Sequence, residues 1–251
     1  MERQIYDTDN SGLLDHRVAV LIGQDFLYIY GAPGLTIAFH LESRYHSHLE
    51  NHMTVLYALD LIGTAAFAAS GAWVAVRHRM DLFGVLVLGL VTAVGGGTLR
   101  DLLVGDLPPF SLQDETYLYV SIIGALVVFF NRNRFQAVER PLLVLDAVGL
   151  GTFVVIGTTK ALDFQLGFLG AALMGVMTCT AGGVVRDVLA NQVPLILRKE
   201  IYASACLAGS LLLVALENFG TPRPTAALLA AGTVITLRLL AIHFKWSLPR
   251  P

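Results

Sequence analysis

The chain contains 251 residues, of which 55% are hydrophobic and only 14% are charged, and its mean hydropathy is +0.65. Soluble domains of this length rarely have so apolar a composition, and these values predict an all-α integral membrane protein. The formal net charge is −2 at pH 7, which argues against a broad basic surface and hence against nucleic acid as a partner.

Residues 1–52 differ from the rest of the chain because they are polar and contain no apolar stretch long enough to span a bilayer. Acidic residues near the start, such as Glu2 and Asp7, do not fit the basic beginning of a secretory signal. We predict a disordered or interfacial leader. A sharper hypothesis is that the leader is not native sequence and that Met53, immediately before the first span, is the natural start.

From Met53 onward, apolar stretches recur, most of them close to the roughly 20 residues that a helix needs to cross hydrocarbon. The third and sixth stretches are the shortest. The sequence predicts seven transmembrane helices, at residues 54–76, 82–105, 116–131, 142–160, 166–190, 201–217 and 224–244.

The chain also repeats itself at an offset of 86 residues, without a gap. Hydrophobicity alone would not align glycines, charged residues and a proline. The matched pairs include Gly63 and Gly149, Phe67 and Phe153, Thr92 and Thr178, and Pro108 and Pro194.

This repeat predicts the organisation of the domain. A first three-helix repeat occupies residues 53–131, a second occupies residues 142–217, and a seventh helix follows at residues 224–244. Because each repeat has an odd number of spans, the second copy must enter the membrane from the opposite side, so the repeats are expected to be inverted.

Each repeat has adjacent glycines in the middle of its second span. They are Gly95, Gly96 and Gly97 in the first copy and Gly182 and Gly183 in the second. Glycine weakens a helix, and a membrane helix is interrupted only where protein or a water-filled cavity satisfies the freed backbone groups. We therefore predict that the second and fifth helices are broken at these glycines and line a pathway.

Charged residues inside the predicted spans mark candidate functional sites, because an ionised side chain at membrane depth is costly. The inverted arrangement would bring one aspartate and one arginine to the same depth in each half. We predict two symmetry-related pairs that line or gate the pathway, with structural ion pairs as the alternative. The pairs are Asp60 with Arg100 and Asp146 with Arg186, and Asp101 and Asp187 are expected nearby.

Basic residues are concentrated on one predicted side of the membrane. By the positive-inside rule this side is cytoplasmic, which puts the N-terminus outside and the C-terminus inside a cell inner membrane. In the last span, Arg238 is expected to reach the cytoplasmic interface, with a place at the trimer contact as the alternative. The basic residues are Arg77, Arg79, Arg132, Arg134, Arg140, Arg198, Lys199, Lys245 and Arg250.

No phosphate-binding loop, nucleophile elbow or HExxH motif is present in the sequence. Nothing therefore favours ATP-driven transport or hydrolysis, and we expect neither enzyme activity, nor a cofactor, nor a metal site.

The motif GGGTLRD followed by a proline-containing segment, the second motif GGVVRD and the 3+3+1 pattern of spans together resemble the prokaryotic trimeric intracellular cation (TRIC) channel family. The repeat unit of this family is also called a glycine-transporter domain. The resemblance covers residues 53 to about 244. It implies a homotrimer in membrane lipid in which each protomer has its own pore, lined by the second and fifth helices, for potassium and to a lesser degree sodium.

A second function remains open at this stage. Inverted repeats are common among secondary transporters, so the alternative is a carrier of a small zwitterion such as glycine.

Overall fold

The computed structural model describes the backbone of residues 19–23, 26–30, 35–131, 140–198 and 201–246, and the side chains of residues 55–131, 142–198 and 201–246. The chain divides into two compact units, residues 1–54 and 55–251. In the first unit, strands β1 (Ala19–Gly23) and β2 (Phe26–Tyr30) form an antiparallel hairpin. Much of the predicted leader lies outside the described residues, and its disorder and origin stay predictions.

The rest of the described chain is helical. In order, the helices are α1 (Leu35–Arg77), α2 (Leu82–Val104), α3 (Phe110–Gln113), α4 (Thr116–Phe130), α5 (Arg140–Asp163), α6 (Phe168–Leu189), α7 (Leu195–Arg198), α8 (Ala203–Asn218) and α9 (Arg223–Phe244).

Within the described residues, five helical segments are long and apolar enough to cross a membrane. Two shorter apolar helices, α4 and α8, have 15 and 16 residues and coincide with the short third and sixth predicted spans. Apart from the hairpin of the first unit, the prediction of an all-helical membrane protein is thus confirmed, whereas the count of seven crossings stays a prediction. The five long segments are Val55–Arg77, Leu82–Val104, Leu142–Asp163, Phe168–Leu189 and Arg223–Phe244.

The predicted breaks in the second and fifth membrane helices are wrong. Helix α2 continues through Gly95–Gly97, and helix α6 continues through Gly182 and Gly183. Glycine costs a helix only about 1 kcal/mol relative to alanine. An unpaired backbone group in an apolar setting costs several kcal/mol, so the helical hydrogen bonds are retained.

The glycines instead allow two helices to approach until their backbones touch. A Cβ atom on Gly96 would overlap the carbonyl oxygen of Thr178, and one on Gly182 would overlap that of Thr92. Small residues at a helix interface are the usual means of such packing in membranes. Helices α2 and α6 therefore cross in direct backbone contact at these two glycines.

The same two contacts reveal the relative direction of the helices. Gly96 meets Thr178 while Gly182 meets Thr92, so residue numbers rise along one helix as they fall along the other, and the helices are antiparallel at the crossing. At the offset of 86, Gly96 corresponds to Gly182 and Thr92 to Thr178, so each contact is the repeat-related copy of the other. A twofold relation between two copies produces this reciprocity.

The largest apolar cluster also combines equivalent residues of the two repeats. Phe67 and Phe153 are buried in it, with ring centroids 5.1 Å apart. Gly149 lies directly against the Phe67 ring, where a Cβ atom would overlap it. The two repeats thus share one core.

The crossing generates a prediction about stability. Replacing Gly96 by alanine should force α2 and α6 apart, and we expect a loss of about 1–3 kcal/mol of stability, as for other overpacked interiors. Gly95→Ala is the matched control, because its Cβ would meet only Val91 Cγ1 at 3.9 Å. This control should be neutral or slightly stabilising. Thermal unfolding of the purified protein in detergent measures both, and equal melting temperatures for the two variants would contradict the crossing.

Candidate functional site

The six charged residues predicted from the sequence are all buried, and they form two clusters. We define the first cluster as Asp60, Arg100, Asp101, Asp106 and Lys160, and the second as Asp146, Arg186, Asp187 and Arg238. Arg100 and Asp101 follow the crossing glycines of α2, whereas Arg186 and Asp187 follow those of α6. Because α2 and α6 are antiparallel, the two clusters lie on opposite sides of the crossing.

The second cluster contains one of the two predicted pairs. Arg186 Nη1 lies 2.9 Å from Asp146 Oδ1, and Arg186 Nε lies 2.8 Å from Asp187 Oδ1. Nη1 also donates a hydrogen bond to Ser70 Oγ at 3.0 Å. Buried charges are tolerated only when they are paired and hydrogen-bonded, and Arg186 meets this requirement through residues of three helices.

In the first cluster the predicted pair of Asp60 with Arg100 is wrong, because these residues form no salt bridge in the described part of the chain. Arg100 Nε contacts Asp101 Oδ1 at 2.8 Å instead. Asp60 Oδ2 accepts a hydrogen bond from the Tyr117 hydroxyl at 3.1 Å. Arg100 is thus paired with the neighbouring Asp101 on its own helix, and Asp60 with Tyr117 of α4, instead of with each other.

Lys160 at the end of α5 is a member of the first cluster that the sequence analysis missed. Its Nζ lies 2.6 Å from Asp101 Oδ1 and 2.5 Å from Asp106 Oδ2. Lysine at position 160 corresponds to Val74 in the first repeat, so the repeat pattern carried no signal for it. The contact makes the two clusters chemically different.

Each arginine–aspartate pair also holds the start of a short helix. Asp101 Oδ2 accepts the backbone N–H of Phe110, and Asp187 Oδ2 accepts that of Leu195, both at 2.8 Å. The separations are nine and eight residues. Pro109, rather than Pro108, therefore corresponds to Pro194, and the gapless alignment is wrong beyond the charged pairs.

The corrected offset of 85 relates two tyrosines that the sequence analysis did not connect with the site. Tyr117 donates to Asp60, and the Tyr202 hydroxyl and Asp146 Oδ1 lie 3.1 Å and 3.7 Å from the same point, the position that a Cβ on Gly183 would take. A tyrosine hydroxyl beside each repeat-related aspartate is thus common to both clusters. Allowing one deleted residue in the second repeat would have revealed this match.

The last glycine of each motif has different neighbours in the two halves. Gly97 is covered by the Phe110 ring, which a Cβ atom would overlap. A Cβ on Gly183 would instead lie 3.1 Å from the Tyr202 hydroxyl and 3.5 Å from Arg186 Nη2. Among the described residues, neither Arg186 Nη2 nor Asp146 Oδ2 has a hydrogen-bond partner. The corresponding position is therefore apolar in the first half and polar in the second.

Arg238 on α9 does not reach the interface, so that prediction is wrong. The side chain is buried, and its Nη1 donates to the carbonyl oxygen of Ile201 at 2.7 Å. Its guanidinium carbon lies 4.7 Å from the centroid of the Tyr202 ring. The carbonyl oxygen and the aromatic face stabilise the buried guanidinium in place of water.

A cavity of about 400 Å³ lies beside the second cluster. Leu195, whose backbone is held by Asp187, forms part of its wall. No group of three or more metal-ligating side chains occurs among the residues that the structure describes. The other lining residues are Trp73, Val74, Arg77, His78, Leu142, Leu143, Gln192 and Arg198.

The different pairing of the two aspartates predicts different costs of neutralisation. Asp146→Asn should destabilise the fold by up to roughly 3–5 kcal/mol, because it removes a salt-bridge partner from the buried Arg186. Asp60→Asn should cost much less, since asparagine still offers an oxygen to the Tyr117 hydroxyl. Melting temperatures of the two variants in detergent test this difference. An equal loss of stability in both would show that the ion pair of Asp146 contributes no more than the hydrogen bond of Asp60.

Comparison with known proteins identifies the family. The family model described as Glycine transporter matches residues 57–133 and 143–218. The chain is 45% identical over 197 residues to the UPF0126 inner membrane protein YadS of Escherichia coli (strain K12), covering 78% of this chain and 95% of that protein. It is 44% identical over 197 residues to a UPF0126 membrane protein of Vibrio cholerae, covering 78% and 82%.

Solved structures agree with this result. The chain is similar to the TRIC trimeric intracellular cation channel orthologue from Rhodobacter sphaeroides, with 41% identity, a TM-score of 0.74 and coverage of 77% of this chain and 100% of that one. A prokaryotic TRIC channel in 0.5 M KCl gives 32% identity, a TM-score of 0.72 and coverage of 78% and 100%. The two matched repeats, the relatives and the shared fold show that this chain belongs to the prokaryotic TRIC channel family.

Proposed function

We propose that the chain is a cation channel that passes potassium and sodium, with a pore in each protomer of a homotrimer embedded in membrane lipid. The observation that carries the proposal is the antiparallel crossing of α2 and α6, with a largely buried charged cluster on either side of it. The names of the structural relatives, which are trimeric intracellular cation channels, support the same function and the trimer.

The crossing supports the inverted arrangement of the repeats. If α2 and α6 both span the bilayer, their antiparallel contact puts the first cluster in one leaflet and the second in the other. A path that runs along both helices, beside the crossing, would then meet polar groups at two depths. Intramembrane charges usually mark such ion pathways.

The balance of charge supports cations as the permeating ions. With its carboxylates ionised, the first cluster has three negative residues against two positive ones, namely Asp60, Asp101 and Asp106 against Arg100 and Lys160. The second cluster has two of each sign. Opposite charge concentrates an ion in a low-dielectric passage.

The continuity of α2 and α6 weighs against the carrier of a small zwitterion. That alternative depended on half-helix ends, whose dipoles would hold the carboxylate of the substrate. Both helices run through their glycines, so these two helices present no such ends at the crossing. A channel needs no such ends and only a path beside the crossing.

We further propose that the N-terminus lies outside and the C-terminus inside the inner membrane. In this orientation the cavity beside the second cluster, lined by Arg77, His78 and Arg198, opens to the cytoplasm. This agrees with the positive-inside rule. The name of the Escherichia coli relative, an inner membrane protein, supports the location.

Recording from the purified protein in a planar bilayer distinguishes the channel from the carrier. A channel should give discrete single-channel steps in symmetrical KCl, each carrying more ions per second than a carrier that changes conformation on the μs–ms scale for every cycle. Heat-denatured protein at the same amount is the control. Solute flux that saturates at low glycine concentration, without resolvable steps, would support the carrier and contradict the channel.

A further inference from the structure

Phe110, the first residue of α3, is anchored directly to the first charged cluster. Its backbone N–H donates to Asp101 Oδ2 at 2.8 Å. The other oxygen of the same carboxylate contacts both Arg100 and Lys160. The carboxylate thus connects the end of α2, the end of α5 and the start of α3, and it fixes where the Phe110 ring lies.

The ring lies over the glycine segment of α2. It packs so closely on Gly97 that a side chain there would fit only if the ring moved. Its centroid is 5.3 Å from the guanidinium carbon of Arg100 and 4.5 Å from the centroid of the Tyr117 ring, which it meets edge to face. Tyr117 in turn donates to Asp60. The ring therefore covers Gly97 and lies against Arg100 of the first cluster and against Tyr117.

The second repeat shows what the same place looks like without this ring. Leu195 has the position of Phe110, as the matching hydrogen bonds to Asp187 and Asp101 show. Gly183, the counterpart of Gly97, faces the Tyr202 hydroxyl and Arg186 Nη2 instead of a ring. The ion pair of Arg186 with Asp146 lies at this position. At this position the two halves of the molecule thus present different chemical groups.

We infer that Phe110 is an aromatic plug that closes the conduction path in the first repeat, an inference that rests on the proposed channel function. A cation passing Gly97 needs oxygen ligands or water, and the ring supplies neither. Apolar constrictions of this kind gate pores by excluding water. Conduction requires the ring to leave Gly97, and its contacts with Tyr117 and Arg100 favour the closed position.

The plug is tested by changing the volume of the side chain at position 110. Phe110→Ala should raise the open probability in planar bilayers about 2- to 10-fold, the factor that corresponds to the loss of one aromatic pair. Phe110→Leu, which resembles the second repeat, should have an intermediate effect, and Phe110→Trp should lower the open probability. Leu112→Ala is the matched control in the same short helix, because Leu112 is exposed and should leave the open probability unchanged.

A purely structural role predicts a different pattern, in which every replacement of Phe110 lowers both stability and current. That pattern, or unchanged gating in a Phe110→Ala channel with a wild-type melting temperature, would overturn the plug. If Phe110→Ala fails to assemble, the opposite shifts expected for leucine and tryptophan decide the matter. Wild-type protein without any cation current would instead refute the proposed channel function, so the two failures are distinguishable.

Discussion

The backbone contact between α2 and α6 is the constraint on which the rest of the structure depends. Gly96 and Gly182 allow the two helices to touch at the carbonyl groups of Thr178 and Thr92. No larger residue would permit this approach. Because the crossing is tight and antiparallel, the charged residues that follow each glycine motif are carried to opposite sides of it.

Burial of these charges has a cost that the structure offsets in two ways. In the second cluster, Arg186 is held by Asp146 and Asp187 and by the Ser70 hydroxyl. In the first, the Asp101 carboxylate is shared between Arg100 and Lys160. Each solution also positions a short helix through a backbone N–H. The repeats therefore keep a common frame while their polar interiors differ.

The comparison of sequence and structure shows which features a single sequence can predict. The helices, their approximate bounds and the pair of Asp146 with Arg186 were predictable, since hydropathy and an internal repeat report them directly. The adjacent glycines were misread as breaks, because glycine occurs both where a helix is interrupted and where two helices pack closely. Only the neighbouring helix, here at Thr178, shows which of the two applies, and a single sequence does not reveal that neighbour. Lys160 was missed because it lies 59 residues from Asp101 and has no counterpart in the first repeat.

The most direct test of the central claim is the reversal potential of the purified protein in a planar bilayer under a KCl gradient. A path lined by the two clusters predicts a reversal potential close to the equilibrium potential of potassium, because the excess carboxylate of the first cluster favours cations. A reversal potential near that of chloride, or one at zero despite the gradient, would contradict the account.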